Sequence, residues 1–214
     1  MKGGAQYIEI YSEIAKYYPI GIECTNPVYS EYSGIRLLNK LKFDKLEHPA
    51  YHKWQELIHS IAKSVGSVIE VNTETSLHSP SYCGVLLLEK TNLGIATYMR
   101  KVCISLSVLT NLYTICGLDE IVLSTGQRKG LTFPPIVYIS PTEGFERWFP
   151  ILRAKIETGY PSYRFLSFNR SRMVIEGLSI GRRGPYSGDA SIYDAIFGNE
   201  YIKVDHVLGD IFYE

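Results

Sequence analysis

The stretch that decides the fold is Ser81–Leu123, SYCGVLLLEKTNLGIATYMRKVCISLSVLTNLYTICGLDEIVL. Val85, Leu86, Leu87 and Leu88 form an unbroken apolar run, the pattern of a strand covered on both faces. Thr91-Asn92-Leu93-Gly94 is mostly polar and ends in a glycine suited to positive φ, so the chain turns back there. From Ala96 the pattern alternates. Ala96, Tyr98, Val102, Ile104, Leu106 and Val108 fall on one face, with Arg100 the exception. Thr97, Lys101, Ser105 and Ser107 fall on the other, with Met99 and Cys103. This is the signature of a half-buried strand, and the stretch is expected to be the central hairpin of a sheet.

A helix competes for Val102–Cys116. Val102, Leu106, Leu109, Tyr113 and Cys116 are spaced four, three, four and three, as on one helical face. The β-branched residues and serines favour the strand.

Outward from this core, Gln6–Tyr18 has Tyr7, Ile10, Tyr11, Ile14 and Tyr18 at helical spacing, ended by Pro19. Cys24–Gly34 reads as a loop, followed by a short helix over Ile35–Phe43. His48–Gly66 is the strongest helix. Pro49 suits its first position, Trp54, Leu57, Ile58, Ile61, Ala62 and Val65 form its apolar face, and Gly66 suits its end. Val68–Asn72 is expected as a short strand.

Beyond the hairpin, Gly117 is expected to break the pattern before a strand over Glu120–Leu123. Ile136–Ile139 forms another strand. Ser140-Pro141-Thr142-Glu143 matches a capping box, with Pro150 then kinking the helix it starts and Gly159 stopping it. Tyr163–Phe168 and Met173–Ile180 are expected as two strands around a turn. Ser191-Ile192-Tyr193-Asp194 is a second capping box, closed by Gly198, and Tyr201–Tyr213 supplies a final strand or strand pair. The whole is expected to be a single α+β domain, with a mostly antiparallel sheet and helices packed on one face.

The 214 residues suffice for one substantial core, burying roughly 70% of the unfolded surface. Lys plus Arg and Asp plus Glu are 22 each, so the chain lacks the basic excess of a general nucleic-acid binder. No run of about 18 apolar residues exists to span a membrane. The N-terminus has no signal-peptide core, so the cytoplasm is the expected compartment. The Asn169-Arg170-Ser171 sequon carries no meaning there. Cys24, Cys83, Cys103 and Cys116 form no Cys-x-x-Cys pair and are expected as reduced thiols.

Chemistry-bearing motifs are weak. Ser124–Gly130 has three residues between its glycines where a phosphate loop needs four. His52, Glu56 and His59 share a helix side but lack the zinc-protease spacing, and a solvated face is the expected reading. Asp205, His206 and Asp210 offer acid and base groups, but neighbouring strand residues point to opposite faces. No metal or cofactor is called for. Gly181–Tyr186 places Arg182, Arg183 and Tyr186 in a glycine-flanked loop that could grip phosphate or a partner's carboxylate.

Tyrosine is the compositional oddity, 17 against 8 phenylalanines, and the phenol is an interface-favouring side chain. Tyr29, Tyr32, Tyr160, Tyr163 and Tyr186 fall in or beside expected loops. The leading expectation is therefore a protein-binding module without catalysis, with Arg182, Arg183, Tyr186, Tyr29 and Tyr32 at its binding surface. Bacterial immunity proteins, which bind and block a toxin, are proteins of this type. One alternative is a hydrolase or nuclease with a site assembled from Asp205, His206, Asp210 and the arginine loop. Another is a structural subunit of a larger assembly.

Overall fold

The structure is a computed structural model, and it describes residues 2–125, 128–181, 189–198 and 206–214. The chain opens with helices α1 (Lys2–Tyr17), α2 (Pro27–Glu31), α3 (Ser33–Asp44) and α4 (Pro49–Val65). Strands β1 (Glu70–Asn72), β2 (Ser81–Asn92), β3 (Ala96–Ser107), β4 (Leu112–Thr125), β5 (Arg128–Thr132) and β6 (Ile136–Tyr138) follow. The remainder is α5 (Trp148–Gly159), β7 (Arg164–Phe165), α6 (Phe168–Ser171), α7 (Ile192–Ile196) and β8 (His206–Leu208). This is an α+β chain built on a mostly antiparallel sheet.

Ser81–Leu123 forms three long strands in a meander, β2-β3-β4, one more than a hairpin. The strand pattern wins over the helix pattern across Val102–Cys116, because alternation places Val102, Ile104 and Leu106 together beneath α4 and α5. Gly94 makes the first turn with φ +80°. Val85–Leu88 is flanked by packing on both faces, as its unbroken apolar run requires.

Gly117 does not interrupt β4. It pairs with Val102 on one side and Tyr138 on the other. A Cβ there would lie 2.6 Å from the Phe145 ring, so the glycine is where that ring seats on the sheet. The outer edge of β4 is shared by three short strands in succession. β7 pairs in parallel with Leu112 and Tyr113, β6 with Gly117–Asp119, and β5 with Val122–Thr125.

The helix over His48–Gly66 forms as its residues dictate. The His48 ring nitrogen accepts from the Ala50 N–H, Pro49 opens the first turn, and Gly66 takes φ +69° after the last. Trp54, Ile58 and Ile61 are fully buried on the sheet, with the Trp54 indole N–H donating to the Cys83 carbonyl at 3.1 Å. From α5, Trp148, Phe149, Leu152 and Ile156 complete this layer. On the other face, Tyr193 of α7 lies beside Cys116, Cys83 and Cys103. A further cluster joins α1, α3 and α7 to Leu109 and Leu112.

Several further expectations fail. Cys24–Gly34 contains the short α2, capped by the Asn26 side chain, and α3 starts at Ser33. Ser140 does not cap a helix. Its hydroxyl accepts from the Asp210 N–H instead, and α5 begins only at Trp148 after a turn in which Glu143 and Gly144 have positive φ. Pro150 therefore falls in the first turn, where no intrahelical N–H bond is due, and does not kink the helix. Met173–Ile180 is not a strand. It holds single bridges from Val174 to Ser191 and from Leu178 to Ile20, while Ile175 and Leu178 sink into the α1/α7 cluster. Of Tyr163–Phe168 only Arg164–Phe165 is strand. The Ser191 capping box forms as expected, with Asp194 bonded back to the cap.

Gly117→Ala should destabilise the fold by about 1–3 kcal/mol through overpacking against Phe145. Urea unfolding checks this. Phe145→Leu placed in the same chain should recover part of the loss, a positive coupling that a double-mutant cycle measures.

Candidate functional site

Arg182, Arg183, Tyr186 and Asp205 lie outside the described residues. His206 is exposed on β8. Asp210 shapes the following turn, its carboxylate accepting from the Phe212 N–H at 2.9 Å. Neither lines the two cavities described below. His52, Glu56 and His59 stand on the exposed side of α4, with the His59 Nδ1 against the Gln55 carbonyl at 2.8 Å.

The described tyrosines of the expected binding surface are engaged within the fold. Tyr29 is buried, and its hydroxyl donates to the Ser179 carbonyl at 2.8 Å. Burial, with a smaller contribution from Cys24, pushes its phenol up to about 12. Tyr32 is half-buried, and its hydroxyl donates to the Ala15 carbonyl at 3.0 Å. Tyr160 and Tyr163 likewise spend their hydroxyls on the carbonyls of Ala50 and Ser107. These phenols tie loops to the core.

Two surfaces remain as candidates. The first is the free end of the sheet. Ala96 opposes Leu123, Tyr98 opposes Ile121, and Leu131 opposes Leu123. The Phe133 N–H bonds the Ile121 carbonyl, which continues the register. Strand alternation puts all six on the face that α4 and α5 cover lower down. Here coverage thins: Ile121 is 41% exposed, Phe133 45% and Leu131 58%, while Ala96, Tyr98 and Leu123 are half-buried. Leu93 and Ile95, in the β2–β3 turn at the same end, are also exposed.

The border of this surface is a polar cluster. Arg100, the charge on the apolar face of β3, pairs in fork fashion with Asp119 directly opposite, at 2.9 and 2.8 Å. The Tyr138 hydroxyl donates to the same carboxylate at 3.1 Å, and the guanidinium lies 5.2 Å from the Phe145 ring centre. Burial pushes the Asp119 carboxyl up, and the hydrogen bonds from Arg100, Tyr98 and Tyr138 outweigh it, so it stays below the usual carboxylate range.

The second surface is a groove. Arg153 and Glu157 of α5, Arg164 of β7, Arg170 of α6, and Glu214 line a cavity of about 440 Å³ with Tyr163 and Phe165. The Arg153 guanidinium lies over the Phe165 and Tyr213 rings, 4.8 and 5.5 Å from their centres. Glu157 accepts from the Tyr113 hydroxyl at 2.7 Å and stands 3.7 Å from Arg153. Arg170 pairs with Glu214 at 2.5 Å, and the mostly exposed Arg164 reaches Glu9 at only 3.4 Å. Arg164 also lines a neighbouring cavity of about 360 Å³ with Glu9, Glu13, Thr110 and Asn111. The Thr110 hydroxyl there is buried without a hydrogen-bond partner.

Lys45 is buried beneath the 73–80 loop, its ammonium held by the carbonyls of Ser76, Ser79 and Ser81. Burial, and after it Lys42, push its pKa down to about 7, against the pull of those carbonyls toward the charged form. It clamps the loop to α3. Among the described residues no three His, Cys, Asp or Glu side chains gather as metal ligands, and no helix is long and apolar enough to cross a membrane. No family model, curated protein or solved structure matches the chain.

Asp119 makes stability depend on acid. Its folded pKa is depressed, so the stabilisation is present above the unfolded value near ~3.9 and is lost as pH falls through the lower folded value. Asp119→Asn should cost about 2 kcal/mol at pH 7 and flatten the acid limb. Urea midpoints measured from pH 7 down to about 3 test both.

Proposed function

We propose that the chain is a protein-binding module without catalysis of its own, docking through the uncovered end of the β3–β4–β5 face. The observation that carries this is the exposure of Ile121, Leu131 and Phe133 on one side of a continuous ribbon, with Ile95 and Leu93 at its tip. A contiguous apolar surface of this kind marks an interaction site more often than a chance exposure. The equal count of acidic and basic residues supports a protein rather than a polyanion as the partner. The buried, free thiols of Cys103 and Cys116, opposite each other across β3 and β4, fit a cytoplasmic setting.

A toxin-neutralising immunity protein is one module of this kind, but no feature of the ribbon singles out a toxin. A permanent subunit of a larger assembly draws on the same surface and differs in what covers it. The hydrolase or nuclease reading finds little support, since His206 and Asp210 do not meet in a cleft.

A photocrosslinking residue at position 133, introduced in the native cell, separates these readings. The module reading expects one dominant adduct with a different protein, lost on Ile121→Lys and absent when the probe stands at Glu56 on the exposed side of α4. An adduct of the chain with itself favours the assembly subunit. No adduct at position 133 contradicts docking at the ribbon.

A further inference from the structure

We propose that the ribbon end receives a single amphipathic helix of the partner protein, about three turns long, carrying Lys or Arg where it meets Glu89, Glu143 and Glu146. This inference rests on the docking reading above and adds the shape and charge of what docks.

The dimensions of the face fit one helix. Beyond the Arg100–Asp119 pair, β3 runs on to Ala96 and β4 to Thr125. At ~3.4 Å per residue that is roughly 14–20 Å of strand. β3, β4 and β5 lie side by side there, about 10 Å across two strand spacings. A helix is about 10 Å in diameter and rises ~1.5 Å per residue, so one of roughly 9–13 residues fills the area. Lower on the same face the sheet already takes helices, α4 and α5. Ile121, Leu131 and Phe133 supply the apolar strip for a further one.

Charge decides the chemistry of that helix. Glu89 stands opposite Arg100 in the β2–β3 register and so shares its face. Glu143 and Glu146 flank Gly144, where a Cβ would lie 2.6 Å from the Arg100 guanidinium. Burial raises the phenols of Tyr98 and Tyr138, and Asp119 raises both further. Glu89 adds to the rise at Tyr98 and Glu143 to that at Tyr138, which puts both acids beside the face. All three glutamates are exposed, and among the described residues none of them stands in an ion pair. Arg100 is committed to Asp119, and Arg147 donates to the Ser67 hydroxyl at 2.8 Å. Glu89, Asp119, Glu143 and Glu146 thus face only Arg100 and Arg147 at this border, an excess of two negative charges. Arg128 and Lys129 belong to the opposite end, where β5 begins. An apolar strip edged by free carboxylates attracts a basic amphipathic helix and repels an acidic one.

Two fluorescent probe peptides test this on the full chain by anisotropy. Both are amphipathic helices of about 14 residues with the same leucine pattern, one with lysine at every polar position and one with glutamate. The lysine probe should bind saturably and at least about tenfold tighter than the glutamate probe. Raising the salt should narrow the gap. Glu89→Lys combined with Glu143→Lys should remove the preference. Both side chains are exposed, so the thermal midpoint of that variant should match the parent. Ile121→Lys should weaken the lysine probe by about tenfold or more. Equal binding of the two probes, with both lost on Ile121→Lys, overturns the charge inference and leaves docking at the ribbon standing. Binding of neither probe overturns the helix inference, while the crosslink at position 133 judges the ribbon independently. A lysine probe that binds the Ile121→Lys and the double-lysine variants as it binds the parent overturns the inference as well.

Discussion

Backbone pairing along both edges of β4 is the constraint on which everything else rests. The strand is 14 residues long. One edge carries eleven pairs to β3. The other edge is too long for any single later strand and is filled by β7, β6 and β5 in turn. These three partners tie the C-terminal half of the chain to the sheet at three heights. β7 brings Arg164 to the groove, β6 brings Tyr138 to Asp119, and β5 widens the free end. Both candidate surfaces are thus consequences of how one strand satisfies its N–H and C=O groups.

Helix coverage divides that strand. Gly117 lets Phe145 seat on the sheet, and from there downward Val102, Ile104, Tyr113 and Ile115 lie under α4 and α5. Above it, Arg100 and Asp119 neutralise each other at the edge of the covered zone. Beyond them apolar side chains continue on the same face without a helix to receive them. A charge pair at this position ends the core without leaving an unpaired buried charge.

The meander, α4 with both its caps, and the Ser191 box were legible in the sequence because each is decided by neighbouring residues. Alternation fixed the strands, and His48-Pro49 and Gly66 fixed the helix ends. What was not legible depends on distant partners. Ser140 resembles a cap but bonds Asp210, seventy positions away. Gly117 looks like a breaker until Phe145 is placed above it. Met173–Ile180 alternates like a strand, but its apolar residues are taken by α1 and α7. The tyrosine excess was visible and its meaning was not. Tyr18, Tyr29, Tyr32, Tyr51, Tyr160 and Tyr163 each bond a carbonyl elsewhere in the fold, so the phenols act as internal fasteners. The arginine groove left no local signal, since Arg153, Arg164 and Arg170 sit in three separate elements.

Amide hydrogen exchange tests the division of β4 most directly. Residues 102–107 and 113–118, paired and covered, should exchange only through global unfolding. Residues 96–100 and 119–123, paired but uncovered, should exchange through local opening at least about tenfold faster, a difference of about 1.4 kcal/mol in opening free energy. Equal protection along the whole length of β3 and β4 in the isolated protein would contradict the account, because the free end would then be as firmly held as the core.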